Sequence, residues 1–539
     1  MKIKALGAVG TVTGSCFRLE LDDGRQILLD CGLFQGGRQT ELRNADTRVY
    51  NPGGLAAMVI THAHMDHSGL VPRLVKEGFS GPVFATEATC DLLKALWLDA
   101  ANIQQQEAVW KSRKNRRQGK REVEPLYDED DARLAMTKLT PLSMEDKHEI
   151  LPGLTLVYRP AGHILGAASA HFTVSENGRS LTVAFSGDIG RTGQLLLPDP
   201  AIPPAADVIF METTYGNRLH KEMGPSVDEF LAVVNQAYRE NGKVLIPAFA
   251  VERTQEIMLL LARAWREGTI PKDIPIILDS PLALAATRIY ARHTGLFDEE
   301  TRNFLEQGAS PASMPNLRIT RDAQESQRLN DIKGSAVIIA GSGMANAGRI
   351  LHHLKHNLWR PNCHVIFVGF QAQGTTGRRL VEGAKAVKIF REAVNVEARI
   401  HTIGGFSGHA DQNELIAWLS RQARPGLTVN LVHGEPSSTR AFYELAKTRF
   451  PEVFFNIPTW LRYAELAAER PALAGEALDE AGAWPEGEGQ TRSIRPSLMA
   501  RLERLKDQAA GLGEMPPEQL ALLEDYLAQA ESLMLANAG

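Results

Sequence analysis

The sequence predicts an α/β protein with more than one domain, and three observations support this. The chain has 539 residues, which exceeds the roughly 100–200 residues of a typical domain. In residues 1–207, apolar runs end in short loops that carry histidine and carboxylate side chains. In residues 208–400, apolar runs alternate with helical stretches, which predicts a parallel sheet with helices on both faces. Strands of that sheet are expected at residues 244–249, 275–278, 337–340 and 365–370.

The composition indicates a soluble, cytoplasmic protein. Apolar residues make up 44% of the chain and charged residues 23%, as in ordinary globular proteins. The net charge of −5 excludes a global basic field, so any contact with nucleic acid must be local. Four cysteines without paired spacing indicate free thiols in a reducing compartment. The N-terminus lacks a signal-peptide core and no apolar run approaches about 18 residues, so we expect no membrane association.

A histidine-rich loop after a predicted buried strand is the strongest local signal. The apolar run at residues 55–60 precedes residues 61–69, which read Thr-His-Ala-His-Met-Asp-His-Ser-Gly. This metal loop contains His62, His64, Asp66 and His67. Imidazole nitrogens and carboxylate oxygens suit Zn²⁺ and neighbouring divalent ions, and alternate residues point to opposite sides of the loop. The loop therefore predicts a metal site that can serve two adjacent ions.

Other junctions between strand and loop present further candidates. The apolar run at residues 154–158 leads to His163, and the run at residues 181–185 leads to Asp188. One carboxylate can bridge two cations, so we assign Asp188 as a bridging ligand. A lone histidine such as His163 is more often structural than a ligand. Asp30, at the end of another predicted strand, is either a plain turn carboxylate or a support for the metal loop.

A basic segment has two interpretations that the sequence leaves open. Residues 111–121 contain seven basic side chains and no acidic one. Such a charge run is commonly a solvated, mobile excursion. It can equally be a local contact for phosphate groups beside the active site.

The C-terminal region differs in composition from the rest. Beyond about residue 463 the chain is rich in Ala, Leu and Glu, and residues 484–491 contain the Pro and Gly of a linker. Leucines at helical spacing follow. We expect a small helical appendage that docks or oligomerises, and a homodimer is one expectation.

Seven motifs, in the expected order over residues 1–460, resemble the β-CASP branch of metallo-β-lactamase-fold nucleases. Besides the positions above, they include Glu212 after a predicted strand, His409 in the loop at residues 402–411, and His433 at the end of the strand at residues 427–432. The resemblance implies a metallo-β-lactamase αββα sandwich interrupted by a β-CASP α/β domain. The implied division is 1–207 and 401–465 for the sandwich, 208–400 for the insertion and 466–539 for the linker and appendage.

The resemblance also implies roles for individual residues. His62, His64 and His163 would bind one zinc ion, and Asp66, His67 and His433 the other, with Asp188 bridging. Asp30 would support the metal loop. Glu212 and His409 match the acidic and histidine motifs of the branch, and Asp66, Asp188, Glu212 and His409 form the expected catalytic set.

The expected function is that of a zinc-dependent ribonuclease with two Zn²⁺ ions. It would cut single-stranded RNA internally and leave 3′-hydroxyl and 5′-phosphate ends. His433, and the motifs around His163 and Glu212, are similar to the mRNA 3′-end-processing endonuclease group. Zinc would lower the pKa of a shared water from about 16 towards 7. His409, held by Glu212, would protonate the leaving oxygen.

Two alternatives remain at this point. One is a zinc-dependent hydrolase of small thioesters or lactones on the same fold, although such a site gains little from a large insertion. The other is a catalytically inactive scaffold, against which all seven expected ligands are present.

Overall fold

The computed structural model describes residues 1–466, apart from residues 37, 177, 370 and 373. Within that part of the chain, no helix is long and apolar enough to cross a membrane. The predicted linker and helical appendage lie outside the described residues.

The strands form three main sheets and one hairpin. In chain order they are β1 (Lys2–Ala5), β2 (Phe17–Glu20), β3 (Gln26–Leu29), β4 (Leu55–Val59), β5 (Val83–Thr86), β6 (Leu139–Leu142), β7 (His148–Leu151), β8 (Leu154–Pro160), β9 (Ala168–Glu176), β10 (Arg179–Phe185), β11 (Val208–Glu212), β12 (Lys243–Pro247), β13 (Ile276–Asp279), β14 (Leu317–Ile319), β15 (Ala336–Ala340), β16 (His364–Phe367), β17 (Ala386–Ile389), β18 (Glu392–Asn395), β19 (Arg399–Thr402), β20 (Thr428–Val432), β21 (Phe454–Asn456) and β22 (Tyr463–Glu465).

The α-helices connect and cover these strands. They are α1 (Arg38–Glu41), α2 (Met65–Ser68), α3 (Val71–Lys76), α4 (Glu87–Arg116), α5 (Glu129–Met136), α6 (Met223–Arg239), α7 (Arg253–Glu267), α8 (Pro281–Tyr290), α9 (Glu299–Glu306), α10 (Ala323–Arg328), α11 (Ile350–Asn357), α12 (Thr376–Val381), α13 (Gln412–Ser420) and α14 (Pro436–Arg449).

Two seven-stranded sheets pack face to face. Their strand orders are β22-β1-β2-β3-β4-β5-β6 and β21-β20-β11-β10-β9-β8-β7. The rings of Phe17 from the first sheet and Phe185 and Phe210 from the second meet in the shared core, with centroids 5.6 Å apart. Alternate residues of each strand face outward, where α3 to α5 cover the first sheet and α13 and α14 the second. The predicted αββα sandwich is confirmed.

The third sheet is parallel, as predicted from the alternation of strands and helices. Its six strands follow the order β14-β13-β15-β12-β16-β19. Helices α6 and α7 pack on one face, while α11 and α12 pack on the other. Each predicted strand of this sheet is present, with ends that differ by at most three residues.

Two strands, β11 and β19, lie at the predicted borders of the insertion, residues 208 and 400. Strand β11 pairs in parallel with β10 and β20, so it belongs to the second sheet of the sandwich. Strand β19 pairs with β16, so residue 400 lies inside a strand of the third sheet. Strand β11 is buried at every position, and the sequence of such a strand does not reveal which sheet it joins.

Candidate metal centre

The candidate ligands lie in loops at the ends of strands that belong to both sheets of the sandwich. The metal loop follows β4 and continues into α2, while His163 lies between β8 and β9. Asp188 follows β10, and His433 follows β20. The parallel strands β10, β11 and β20 end at one edge, which brings residues distant in sequence to one place. The side chains at this edge are largely buried.

The first group of candidate ligands is His62, His64, His163 and Asp188. Their donor atoms all lie within 4.8 Å of one another. His64 Nδ1 lies 3.2 Å from His62 Nε2 and 3.2 Å from His163 Nε2. Nitrogen lone pairs that face one another at this spacing can share one cation.

The second group is Asp66, His67 and His433, again within 4.8 Å. His67 Nε2 lies 3.1 Å from His433 Nε2, and Asp66 Oδ2 lies 3.8 Å from that same atom of His433. The two groups contain six of the residues that the sequence assigned as ligands, together with the shared Asp188.

Asp188 lies between the two groups and presents one oxygen to each. Its Oδ2 is 3.5 Å from both His62 Nε2 and His163 Nε2. Its Oδ1 is 3.3 Å from His67 Nε2 and 3.3 Å from His433 Nδ1. Oδ1 is buried and accepts no hydrogen bond from the described residues. A buried carboxylate oxygen of this kind needs a positive partner, so the donor set fits a pair of cations.

Protonation also favours metal binding in the first group. Burial lowers the pKa of His62 and His163 well below the usual value and lowers that of His64 to about 4. These rings are therefore neutral at pH 7, which is the form that binds metals.

In the second group, carboxylates attract protons to a histidine. Burial opposes protonation of His67, but Asp188 and Asp30 raise its pKa well above the usual value. A cation at this position would replace the proton that these carboxylates otherwise attract.

Hydrogen bonds orient the ligand rings from behind. His67 Nδ1 lies 2.7 Å from Asp30 Oδ2, so a donated N–H turns Nε2 towards the second group. Asp30 also accepts hydrogen bonds from the backbone N–H of Thr61 at 2.9 Å and from the Ser15 hydroxyl at 3.1 Å. The contact predicted between Asp30 and the metal loop is present.

His409, whose side chain is 22% exposed, and the buried Glu212 form a pair beside these groups. His409 Nδ1 lies 3.4 Å from both carboxylate oxygens of Glu212 and 3.9 Å from Asp188 Oδ2. Glu212 accepts hydrogen bonds from the backbone N–H groups of Ile189 at 2.5 Å and Thr214 at 3.3 Å. Burial disfavours the charged form of His409, yet Glu212 and Asp188 raise its pKa to about 9. His409 is therefore positively charged at neutral pH.

The sequence did not identify the side chains that hold the loop of His409, which we define as residues 403–411. Arg253 Nη1 donates to the Phe406 carbonyl at 2.6 Å and also pairs with Glu256. Arg191 donates to the Gly405 carbonyl, and His163 Nδ1 donates to the Gly408 carbonyl at 2.8 Å. The sequence offers one local signal, the charged residues at the start of α7. Their spacing predicts a helix and does not indicate what they contact.

Gly408 allows a close approach between this loop and its neighbours. A Cβ atom at residue 408 would lie 3.0 Å from Arg253 Nη2 and 3.4 Å from His163 Cε1. The contact with Arg253 is tighter than usual, so a larger residue at position 408 would require the Arg253 guanidinium to shift.

Three family models match successive parts of the chain. The model of the metallo-beta-lactamase superfamily matches residues 9–233. The Beta-Casp domain matches residues 254–380, and the Zn-dependent metallo-hydrolase RNA specificity domain matches residues 393–457.

Characterised relatives are similar over most of the chain. Ribonuclease TTHA0252 of Thermus thermophilus is 40% identical over 453 residues, which cover 84% of this chain and 97% of the relative. The transcription termination factors FttA of Methanocaldococcus jannaschii and Methanosarcina mazei are 30% and 31% identical, and each alignment covers 84% of this chain and 69% of the relative. With its sandwich, its parallel insertion and its cluster of metal-binding side chains, the chain belongs to the β-CASP family of metallo-β-lactamase-fold, metal-dependent hydrolases.

Proposed function

We propose that the protein is a zinc-dependent ribonuclease that cuts single-stranded RNA internally and leaves 3′-hydroxyl and 5′-phosphate ends. One observation carries this proposal: two groups of candidate ligands both contact Asp188 and lie beside His409, whose pKa Glu212 and Asp188 raise to about 9. Two cations and a proton donor are what hydrolysis of a phosphodiester needs. A relative named as a ribonuclease and a matched RNA specificity domain support RNA as the substrate.

The proposal assigns two zinc ions to the two groups. His62, His64 and His163 would hold one ion, and Asp66, His67 and His433 the other, with Asp188 contacting both. Zinc supplies an acidified water and stabilises charge on phosphate oxygens. We further propose that the residues between Glu212 and Ile403 form the inserted domain.

His409 has the geometry of a proton donor. Its Nδ1 faces Glu212, so Nε2 is the nitrogen that can transfer a proton to the 3′-oxygen that leaves. Because the contact with Glu212 raises the pKa of His409 to about 9, His409 keeps its proton until transfer is required. An alkoxide is strongly basic and therefore a poor leaving group. Its protonation by His409 is the main contribution of the chain itself to bond breaking.

The insertion contributes to the site through the loop of His409. Arg253, at the first turn of α7, binds the Phe406 carbonyl three residues before His409. On the other side, His220 Nε2 donates to the carbonyl of His409 itself at 2.8 Å. These contacts fix the direction of the ring, and a fixed donor is more effective than a mobile one.

The alternative of a small-molecule hydrolase is not favoured. The matched RNA specificity domain includes residues 393–457, which carry both His409 and His433. An inactive scaffold is equally disfavoured, because the residues of both ligand groups and of the donor pair all lie together.

Cleavage of an unstructured RNA labelled at its 5′ or its 3′ end tests the proposal. We expect internal products with 3′-hydroxyl ends, and we expect a chelator to abolish cleavage and added zinc to restore it. Products that shorten stepwise from one end would show that the protein is an exonuclease rather than an endonuclease. Cleavage that persists after complete metal removal would refute the zinc-dependent mechanism.

A further inference from the structure

The surface at the far end of α4 has a feature that the proposed active site does not use. This surface, which we call the basic end, comprises residues 110–121, and the side chains of its seven basic residues are solvent-exposed. Helix α4 continues to Arg116, so the first six residues of the charge run are helical rather than an irregular excursion.

The remainder of the basic end folds back on the helix. Asn115 Nδ2 donates to the Arg121 carbonyl at 2.8 Å, and Ser112 Oγ accepts from the Val123 N–H at 2.8 Å. The backbone N–H of Lys120 donates to the Asn115 carbonyl at 3.0 Å. These bonds give the backbone that carries the basic side chains a defined path, which reduces the entropy lost when a ligand binds.

Most of this positive charge is not neutralised by neighbouring carboxylates. Lys111 pairs with Glu107 and Arg116 pairs with Glu122. Within the part of the chain that the structure describes, no ion pair involves the other five basic residues: Arg113, Lys114, Arg117, Lys120 and Arg121. Five such charges together, on a protein whose net charge is −5, fit a polyanion.

Aromatic side chains accompany the charges. The Trp110 side chain is 56% exposed, with Lys114 Nζ 5.9 Å from its ring centroid. Arg391, in the β17–β18 hairpin of the insertion, lies 5.8 Å from the same centroid. The preceding Phe390 is 49% exposed. Exposed rings interleaved with cations are the arrangement that binds single-stranded nucleic acid, since bases stack on the rings while phosphates contact the cations.

The distance along α4 separates this surface from the metal centre. Thr86, which caps the helix, donates through Oγ1 to the Gly166 carbonyl three residues after His163. From there to Trp110 the helix rises by about 35 Å, at about 1.5 Å per residue. A stacked strand with a rise of about 3.4 Å needs roughly ten nucleotides to cover that length.

We propose that the basic end of α4, together with the hairpin tip at Phe390 and Arg391, binds the single-stranded RNA some ten nucleotides from the bond that is cut. This proposal rests on the proposed ribonuclease function. The surface makes the enzyme prefer long RNA through binding, and it takes no part in bond breaking.

Steady-state cleavage of two RNAs tests this proposal on the full, zinc-loaded protein. One RNA has about four nucleotides and cannot reach the basic end, while the other has about twenty. The charge variant is Arg113→Gln, Lys114→Gln and Arg117→Gln combined. Its matched control neutralises three exposed cations elsewhere, Arg421→Gln, Lys447→Gln and Arg449→Gln.

For the charge variant, we expect a higher KM and an unchanged kcat on the long RNA. The lost contacts stabilise the bound substrate and the transition state equally. The plot of log kcat/KM against log salt should flatten by about 2, from about 0.7 for each lost phosphate contact. The charge variant and the wild type should cut the short RNA with the same kcat/KM. Equal loss on both RNAs, or no loss on the long one, would overturn the proposal.

A second comparison separates stacking from charge. Trp110→Ala should weaken use of the long RNA by roughly 5–100-fold through loss of one stacked base. Trp359→Ala is its control, because Trp359 is 55% exposed and also lies near an arginine, Arg360. Equal effects of both changes would overturn the assignment of stacking to Trp110. If the wild type cuts neither RNA, the ribonuclease function itself fails.

Discussion

The metal loop and the loop of His409 reach the same site, but they are held in different ways. The backbone of the metal loop is fixed by segments beside β2 and β3: Leu33 N–H donates to the Met65 carbonyl at 2.8 Å, and Ser15 N–H donates to that of Asp66 at 2.7 Å. The contacts of the loop of His409 come from side chains 153 to 245 residues away. The ligands of the metal loop therefore depend on contacts within the sandwich, whereas the proton donor depends on both domains.

The largest effect is expected from Asp188, which contacts both ligand groups. Asp188→Asn should reduce cleavage by more than about 10⁴-fold, because charge stabilisation by both ions is weakened. Elemental analysis should show about two zinc ions per wild-type chain and fewer in this variant. Asp199→Asn, an exposed change eleven residues later, is the control.

Single-site variants sharpen this result. Asp66→Ala or His433→Ala should lower occupancy of one position and leave the other filled. A wild-type content that stays at one ion per chain in excess zinc would contradict the assignment of two ions.

Loss of His409 should leave the metal loop intact and affect only the transfer of a proton to the leaving oxygen. His409→Ala should retain zinc and bind RNA, while cleavage slows by roughly 10²–10⁴-fold. An RNA whose leaving 3′-oxygen is replaced by sulfur needs no protonation, so the variant should be far less impaired on it. Equal damage on both substrates, or loss of zinc, would rule out the donor role.

The sequence could predict the candidate ligands because each of them lies within a few residues of the end of an apolar run. His62, His64 and His67 share a loop, and Asp188 and His433 each end an apolar run. The supports of His409 could not be found in this way. Arg253 and Gly408 meet only after the insertion has folded against the sandwich, and neither lies in a periodic or spaced pattern. Likewise, the run at residues 208–211 identified a strand but not its sheet.

Arg253 tests whether the insertion acts through His409. Arg253→Met should slow cleavage by roughly 10–100-fold, since a displacement of about 1 Å can cost that much. Arg253→Lys should restore part of the rate by keeping a donor for the Phe406 carbonyl. Zinc content and thermal unfolding serve as checks on folding.

A double variant separates positioning of His409 from general damage. In the His409→Ala background, Arg253→Met should cost little further activity, because the donor that it positions is already absent. Additive losses would instead make Arg253 a structural residue without a specific link to the proton donor.

The smallest effect on cleavage, but a clear one on stability, is expected from Glu252. This buried residue precedes α7 and accepts hydrogen bonds from the Leu165 N–H at 3.1 Å and from the Tyr290 hydroxyl at 2.5 Å. Burial and the nearby Glu256 raise the pKa of Glu252 from 4.5 to about 8. The folded protein thus holds a proton that the unfolded chain releases above about pH 4.5.

The sign of the pH dependence follows from this difference. Stability from the bound proton is complete below about pH 4.5 and is lost as the pH rises through about 8. Glu252→Gln keeps an oxygen acceptor and removes the titration, so its advantage in melting temperature over the wild type should grow between pH 5 and about 8. Glu267→Gln, exposed at the other end of α7, should show no such trend. A constant difference between Glu252→Gln and the wild type at all pH values would mean that Glu252 is already ionised where it contacts the His163 loop.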